Sequence, residues 1–183
     1  MSLPNIITIG RLLAVPVAVG LILNGYFLWA FWVFVAAGVS DAVDGFIAKK
    51  FDAETELGRF LDPLVDKVLL VSVYVSLGQA GHLPTWLVIG VVFRDLLIVG
   101  GAILFQTLTG SLTMNPIMIS KINTAAQIVL TAMVLGLLGF EADGDWMNLI
   151  VGMVYFVAAT TFLSGAVYVV SWSRRAAAME ERE

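Results

Sequence analysis

Residues 40–67 read SDAVDGFIAKKFDAETELGRFLDPLVDK. Four carboxylates, Asp41, Asp44, Asp62 and Asp66, stand at spacings of three and four on either side of a polar stretch. The run before them, Tyr26 to Val39, carries no charge, and neither does the run after, Val68 to Leu77. In a helix, residues three or four apart share a face, so Asp41 with Asp44 and Asp62 with Asp66 form two such pairs. Two apolar helices that carry acidic pairs at facing ends set the frame for the rest of the chain.

Outward from that stretch the composition is strongly apolar. Hydrophobic residues make up 60% of the 183 residues and charged residues 13%, and the mean hydropathy is +0.94. A soluble domain has about 25% charged residues. The expected class is an all-α integral membrane protein, because lipid-exposed backbone must satisfy its own hydrogen bonds and no alternating barrel strands are present. Apolar runs near the ~20 residues needed to cross a bilayer predict a bundle of six transmembrane helices, at roughly 6–24, 27–49, 61–79, 84–106, 117–138 and 146–172. The breaks fall at Asn24-Gly25, Lys49–Arg59, Gly78–Pro84, Gln106–Pro116 and Gly139–Asp145, where turn residues and polarity gather. The domain reading is one membrane domain, 1–173, and a short charged tail, 174–183, expected to be mobile. The first apolar run contains Arg11 and lacks a basic leader, so it reads as a span and not as a cleavable signal. With no cysteine, disulfides and thiolate metal sites drop out. No nucleic-acid partner is expected.

Basic residues set the orientation. The connections 24–27, 79–84 and 139–145 hold no Lys or Arg, whereas Lys49, Lys50, Arg59, Arg174, Arg175 and Arg182 fall on the other side. Positive residues stay inside, so both termini and the acidic stretch are expected to be cytoplasmic. Arg11, Lys67 and Lys121 lie near the same edge.

Four facing carboxylates repel unless their pKa values rise or a cation lies between them. An all-oxygen donor set suits Mg²⁺, Mn²⁺ or Ca²⁺ rather than Zn²⁺. Gly45 and Gly58 leave room for a ligand to approach the backbone. The plainer alternative is solvated helix ends, which fits poorly with the rarity of unpaired acids in membrane helices. A calcium loop fits worse, because alternating ligands are missing.

The pattern Asp41-x2-Asp44-Gly45-x2-Ala48-Lys49-x8-Gly58-x3-Asp62-x3-Asp66 resembles the signature of the CDP-alcohol phosphatidyltransferases. One position departs from it: Lys49 stands where the family has Arg, which keeps the charge and loses the bidentate fork. The similarity extends through LPNIITIGRLLAVPV, GRFLDPLVDKVLL, FRDLL and ISKINTAAQ. The resemblance implies a six-helix membrane enzyme, generally a homodimer, whose site opens to the cytosol and inner leaflet. It implies transfer of a phosphatidyl group from CDP-diacylglycerol to an alcohol, with release of CMP. By position, Asp41, Asp44, Asp62 and Asp66 would bind Mg²⁺ or Mn²⁺, with Asp66 also the general base. Gly45, Ala48, Lys49 and Gly58 would line the cytidine pocket and pyrophosphate site. The membrane implied is a bacterial or mitochondrial inner membrane, with the site on the cytoplasmic or matrix side.

For the acceptor, Arg94 in VVFRDLLIVG and Lys121 in ISKINTAAQ are expected to hold a phosphate, since cations at membrane depth are functional by default. The competing reading pairs Arg94 with an Asp of the cluster or with its neighbour Asp95. Helix geometry turns Asp95 about 100° from Arg94. Arg11, with Thr8 and Asn5, is a candidate for the donor's phosphates. RDLL and ISKINTAAQ look more like the eukaryote-type cardiolipin synthases, whose acceptor is phosphatidylglycerol. Phosphatidylglycerophosphate synthases, which use glycerol 3-phosphate, are the alternative. An ion-coupled transporter is the rival of another class, weakened by acids gathered at one edge and no sign of an inverted repeat. A UbiA-type prenyltransferase would need a longer bundle. His82 lies in the opposite turn, away from the acids, and five Trp near span ends suit an interfacial belt.

Overall fold

The computed structural model describes residues 3–51, 56–109, 118–142 and 144–180, with side chains described for 9–40, 65, 67–101, 118–142 and 144–173. Six helices follow one another: α1 (Leu3–Leu23), α2 (Phe27–Phe51), α3 (Glu56–Gln79), α4 (Thr85–Thr109), α5 (Met118–Gly139) and α6 (Met147–Glu180). Among the described residues two stretches, Met118–Gly139 and Met147–Ser173, are long and apolar enough to cross a membrane, and Ile9–Leu23, Phe27–Ser40 and Lys67–Gln79 are shorter apolar stretches. Large apolar side chains also point outward, among them Leu13, Trp29, Phe93, Leu96 and Phe162. Helices apolar around their circumference suit burial or lipid.

The turns follow from local chemistry. α1 stops where Gly25 takes φ 78°, with the Tyr26 N–H bonded to the Leu21 carbonyl at 2.9 Å. Gly81 repeats this after α3 with φ 80°, the His82 N–H reaching Leu77 O at 2.9 Å. A left-handed residue satisfies the last carbonyls of a helix, and glycine adopts it without a Cβ clash. The His82 ring then lies edge-on to Phe27, centroids 4.9 Å apart.

Two boundaries differ most from the sequence reading. α3 begins at Glu56, ahead of the expected 61, because Glu-Leu-Gly-Arg extends the helix without being apolar. α6 runs on through Arg174 to Glu180, so the tail through that residue is helical. Arg, Ala, Met and Glu are strong helix formers, and each added residue uses a turn already built.

Core residues gather toward the short turns: Ile22 of α1, Ala30 of α2, Tyr74 and Leu77 of α3, Leu87 of α4, Leu130 and Leu135 of α5, and Val157 of α6. In lipid, helices gain little from hydrophobic burial, so close approach and polar ties decide packing. At Gly139 an added Cβ would fall 2.7 Å from Leu28 Cα, so α5 meets the start of α2 backbone to backbone. Trp172 of α6 occupies the space over Gly101 of α4. Asn123 Oδ1 accepts hydrogen bonds from Thr160 Oγ1 at 2.8 Å and Thr161 Oγ1 at 2.9 Å, tying α5 to α6. Both α2 and α3 pack on α1 and on α5, yet among the described residues they do not pack on each other.

Candidate active site

That gap between α2 and α3 is a cavity of about 470 Å³. Its walls are Phe34, Ala37 and Val39 of α2, Leu70 of α3, and Ile128 and Ala132 of α5, apolar throughout. Its polar side is built from Arg11 of α1, Lys67 of α3, Asp95 of α4 and Thr124 of α5. Val39 precedes Asp41 by two residues, and Lys67 follows Asp66 directly. The helices that carry the acidic pairs therefore open onto this cavity.

Arg11 is buried, 4% exposed. Lys67 Nζ lies 3.1 Å from Asp95 Oδ1, and Arg94 Nη1 lies 2.6 Å from the same oxygen. The Arg94 side chain is 3% exposed and that of Lys67 30%. Arg94 Nη2 also donates to Ser120 Oγ at 2.6 Å and to Ser164 Oγ at 2.5 Å, and Nε donates to Ser164 Oγ at 3.2 Å. One carboxylate thus joins two cations, and two hydroxyls complete the cradle. Hydrogen bonds of this charge-assisted kind are the strong ones. α4 is tied by them to α3, α5 and α6.

The sequence reading joins Arg94 with Lys121 at an acceptor phosphate; in the structure Arg94 is bonded to Ser120, the residue before Lys121. Arg94 lies behind Asp95, turned toward α5 and α6, and is not a wall of the cavity. The neighbour pairing, the competing reading, is formed: Arg94 Nη1 donates to Asp95 Oδ1 at 2.6 Å although the two side chains leave the helix about 100° apart. Lys121 is exposed near the start of α5. Arg11 stands in the cavity wall. Lys67 and Asp95, treated in the sequence as an orientation charge and a neighbour, form part of the polar wall of the cavity. The signal available was the position of Lys67 directly after the last acid of the motif.

Asp41, Asp44, Gly45, Ala48 and Lys49 fall on α2, and Gly58, Asp62 and Asp66 on α3. Their side chains lie outside the described residues, as do those of Asn5 and Thr8 on α1. Among the described residues there is no group of three or more potential metal ligands. The donor set itself, four carboxylates on two helical segments that border one cavity, fits a hard divalent cation.

The profile of the family described as CDP-alcohol phosphatidyltransferase matches residues 1–172. The chain belongs to the CDP-alcohol phosphatidyltransferase family. It is 35% identical over 185 residues to the CDP-diacylglycerol–glycerol-3-phosphate 3-phosphatidyltransferase 1, chloroplastic, of Oryza sativa subsp. japonica, covering 92% of this chain and 56% of that protein. It is 32% identical over 180 residues to the cardiolipin synthase (CMP-forming) of Rattus norvegicus, covering 89% of this chain and 60% of that protein. A putative cardiolipin synthase of Mycobacterium tuberculosis is 35% identical over 101 residues, 55% of this chain and 48% of that one. The chain thus spans about half to three fifths of the length of these relatives.

Proposed function

We propose that this chain transfers a phosphatidyl group from CDP-diacylglycerol to an alcohol acceptor and releases CMP. The observation that carries the reading is the family match over residues 1–172, joined to a cavity whose apolar body and cationic wall suit a phospholipid. The preferred acceptor is phosphatidylglycerol, giving cardiolipin. The ISKINTAAQ segment and the relatives named cardiolipin synthase favour it. Glycerol 3-phosphate is the second reading, favoured by the rice relative's name.

In this reading the acceptor oxygen forms a bond to the phosphorus that bears diacylglycerol. The bond from that phosphorus to the oxygen of CMP breaks, and CMP departs with the electron pair. Asp66 takes the proton of the acceptor hydroxyl. Asp41, Asp44, Asp62 and Asp66 would hold Mg²⁺ or Mn²⁺, which when bound offsets charge on the pyrophosphate and on CMP. Gly45, Ala48 and Gly58 leave space for the cytidine, and Lys49 and Arg11 meet the donor's phosphates. Lys67, joined to Asp95 and backed by Arg94, offers a cation to the acceptor's phosphate, and Lys121 gives a first contact at the exposed rim. The six helices all span the membrane in this reading, with both termini and the site on the cytoplasmic or matrix side. A second copy of the chain completes a homodimer.

The test supplies purified protein in micelles with CDP-diacylglycerol, Mg²⁺ or Mn²⁺, and either phosphatidylglycerol or glycerol 3-phosphate. CMP and the lipid product are identified by mass. CMP with cardiolipin is expected, and EDTA should abolish both. Absence of CMP with either acceptor, in the presence of metal, would sink the reading and leave transport as its rival.

A further inference from the structure

We propose that an acyl chain of the lipid donor lies along one row of α5, and that Ala132 sets the chain length that fits. This rests on the phosphatidyl-transfer reading above. α5 contributes Thr124, Ile128 and Ala132 to the cavity between α2 and α3. A second cavity, of about 260 Å³, begins at the same Ala132, continues along Gly136 and ends at Phe140, Trp146 and Leu149. Thr124, Ile128, Ala132 and Gly136 are each four apart, so they form one ridge on one face of the helix. The two cavities share Ala132 in their walls, and in this proposal they join there into one apolar path.

The path has the polarity and length of one phospholipid chain. At its polar end stand Arg11, Lys67 and Asp95, and beyond Ile128 its walls are apolar. A helix rises ~1.5 Å per residue, so Ala132 lies about 12 Å and Gly136 about 18 Å along the axis from Thr124. One leaflet of a hydrocarbon core ~30 Å thick is about 15 Å deep. A chain that reaches the bilayer midplane therefore ends between Ala132 and Gly136. The occupant is the donor's chain, because the cavity wall begins two residues from Asp41, at Val39, and one from Asp66, at Lys67. A donor phosphate met by Arg11 at that end places its diacylglycerol at the mouth.

Ala132→Leu fills the junction, and Ala132→Gly widens it. CMP release is measured for wild type and both variants with dioctanoyl and dioleoyl CDP-diacylglycerol, against a short-chain acceptor. Overpacking an apolar site costs roughly a five- to hundredfold change in an equilibrium constant. Ala132→Leu should raise KM for the dioleoyl donor by at least about fivefold, with the dioctanoyl donor within about twofold of wild type, which also reports that the variant folds. Ala132→Gly should shift the ratio the opposite way and carries the test if the leucine variant fails to fold. An unchanged dioleoyl-to-dioctanoyl ratio in the variants that fold overturns the proposal. A shift that follows the acceptor's chain length instead, in a parallel series with a fixed short-chain donor, overturns the donor assignment. No CMP from wild type with either donor is a different failure, that of the phosphatidyl-transfer reading itself.

Discussion

Replacing Asp95 with alanine removes the carboxylate that Arg94 and Lys67 share, at 2.6 and 3.1 Å. The Arg94 guanidinium, 3% exposed, is left facing the hydroxyls of Ser120 and Ser164. Breaking a buried ion pair by deleting one partner costs about 3–5 kcal/mol, most of it from the stranded charge. The two serines keep part of the guanidinium solvated, and Lys67, with 30% of its side chain exposed, can turn to water, so its share is small. The expected loss is therefore near the lower end, about 3 kcal/mol. Arg94→Met alone should cost less, because Asp95 keeps Lys67. The double variant should cost at least about 1 kcal/mol less than the two singles added, since no charge is stranded behind the wall. Denaturant unfolding in dodecyl maltoside micelles, followed by tryptophan fluorescence, measures all three. Asp95→Ala within about 1 kcal/mol of wild type, or strict additivity in the cycle, would refute the argument that this carboxylate neutralises Arg94.

Three further outcomes are expected. Asp66→Asn keeps the shape and removes the proton acceptor, so turnover should fall roughly 10²-fold or more while donor binding, read by titration with the CDP-lipid, is largely kept; a near wild-type rate would move the base elsewhere. Lys49→Ala should raise the donor KM while Lys50→Ala leaves it unchanged, and Lys49→Arg should be tolerated or tighten the donor through a bidentate contact; equal donor KM values in the two alanine variants would remove the pyrophosphate role. Gly139→Val places side-chain carbon where an added Cβ already falls 2.7 Å from Leu28 Cα, and overpacking of that kind costs about 1–3 kcal/mol. Unfolding at the wild-type denaturant midpoint would show that α2 and α5 do not need this approach.

Much of this protein is determined by neighbours in the chain. Apolar runs interrupted at Asn24-Gly25 and Gly78–Pro84 place two of the breaks between helices, because a left-handed glycine ends a helix wherever it stands. The acidic pairs are legible for the same reason: spacings of three and four mean one helix face in any fold. Hydropathy fails where a helix is polar, and so α3 starts ahead of the expected residue and α6 outlasts its span. The family signature, too, is a matter of linear spacing, and the match over residues 1–172 agrees with it.

What faces what across the bundle was decided by tertiary structure. Nothing local tells that α2 and α3 leave a cavity between them while α1 and α5 pack on both. Lys67 meets Asp95 from another helix, and Arg94 finds Ser164 seventy residues away. Each of these depends on how far a helix is rotated about its own axis. In a chain with apolar residues on every face, periodicity does not record that rotation. It is set by a few close contacts, such as Leu28 on Gly139 and Trp172 on Gly101, and by buried polar groups that must find partners once no water is within reach.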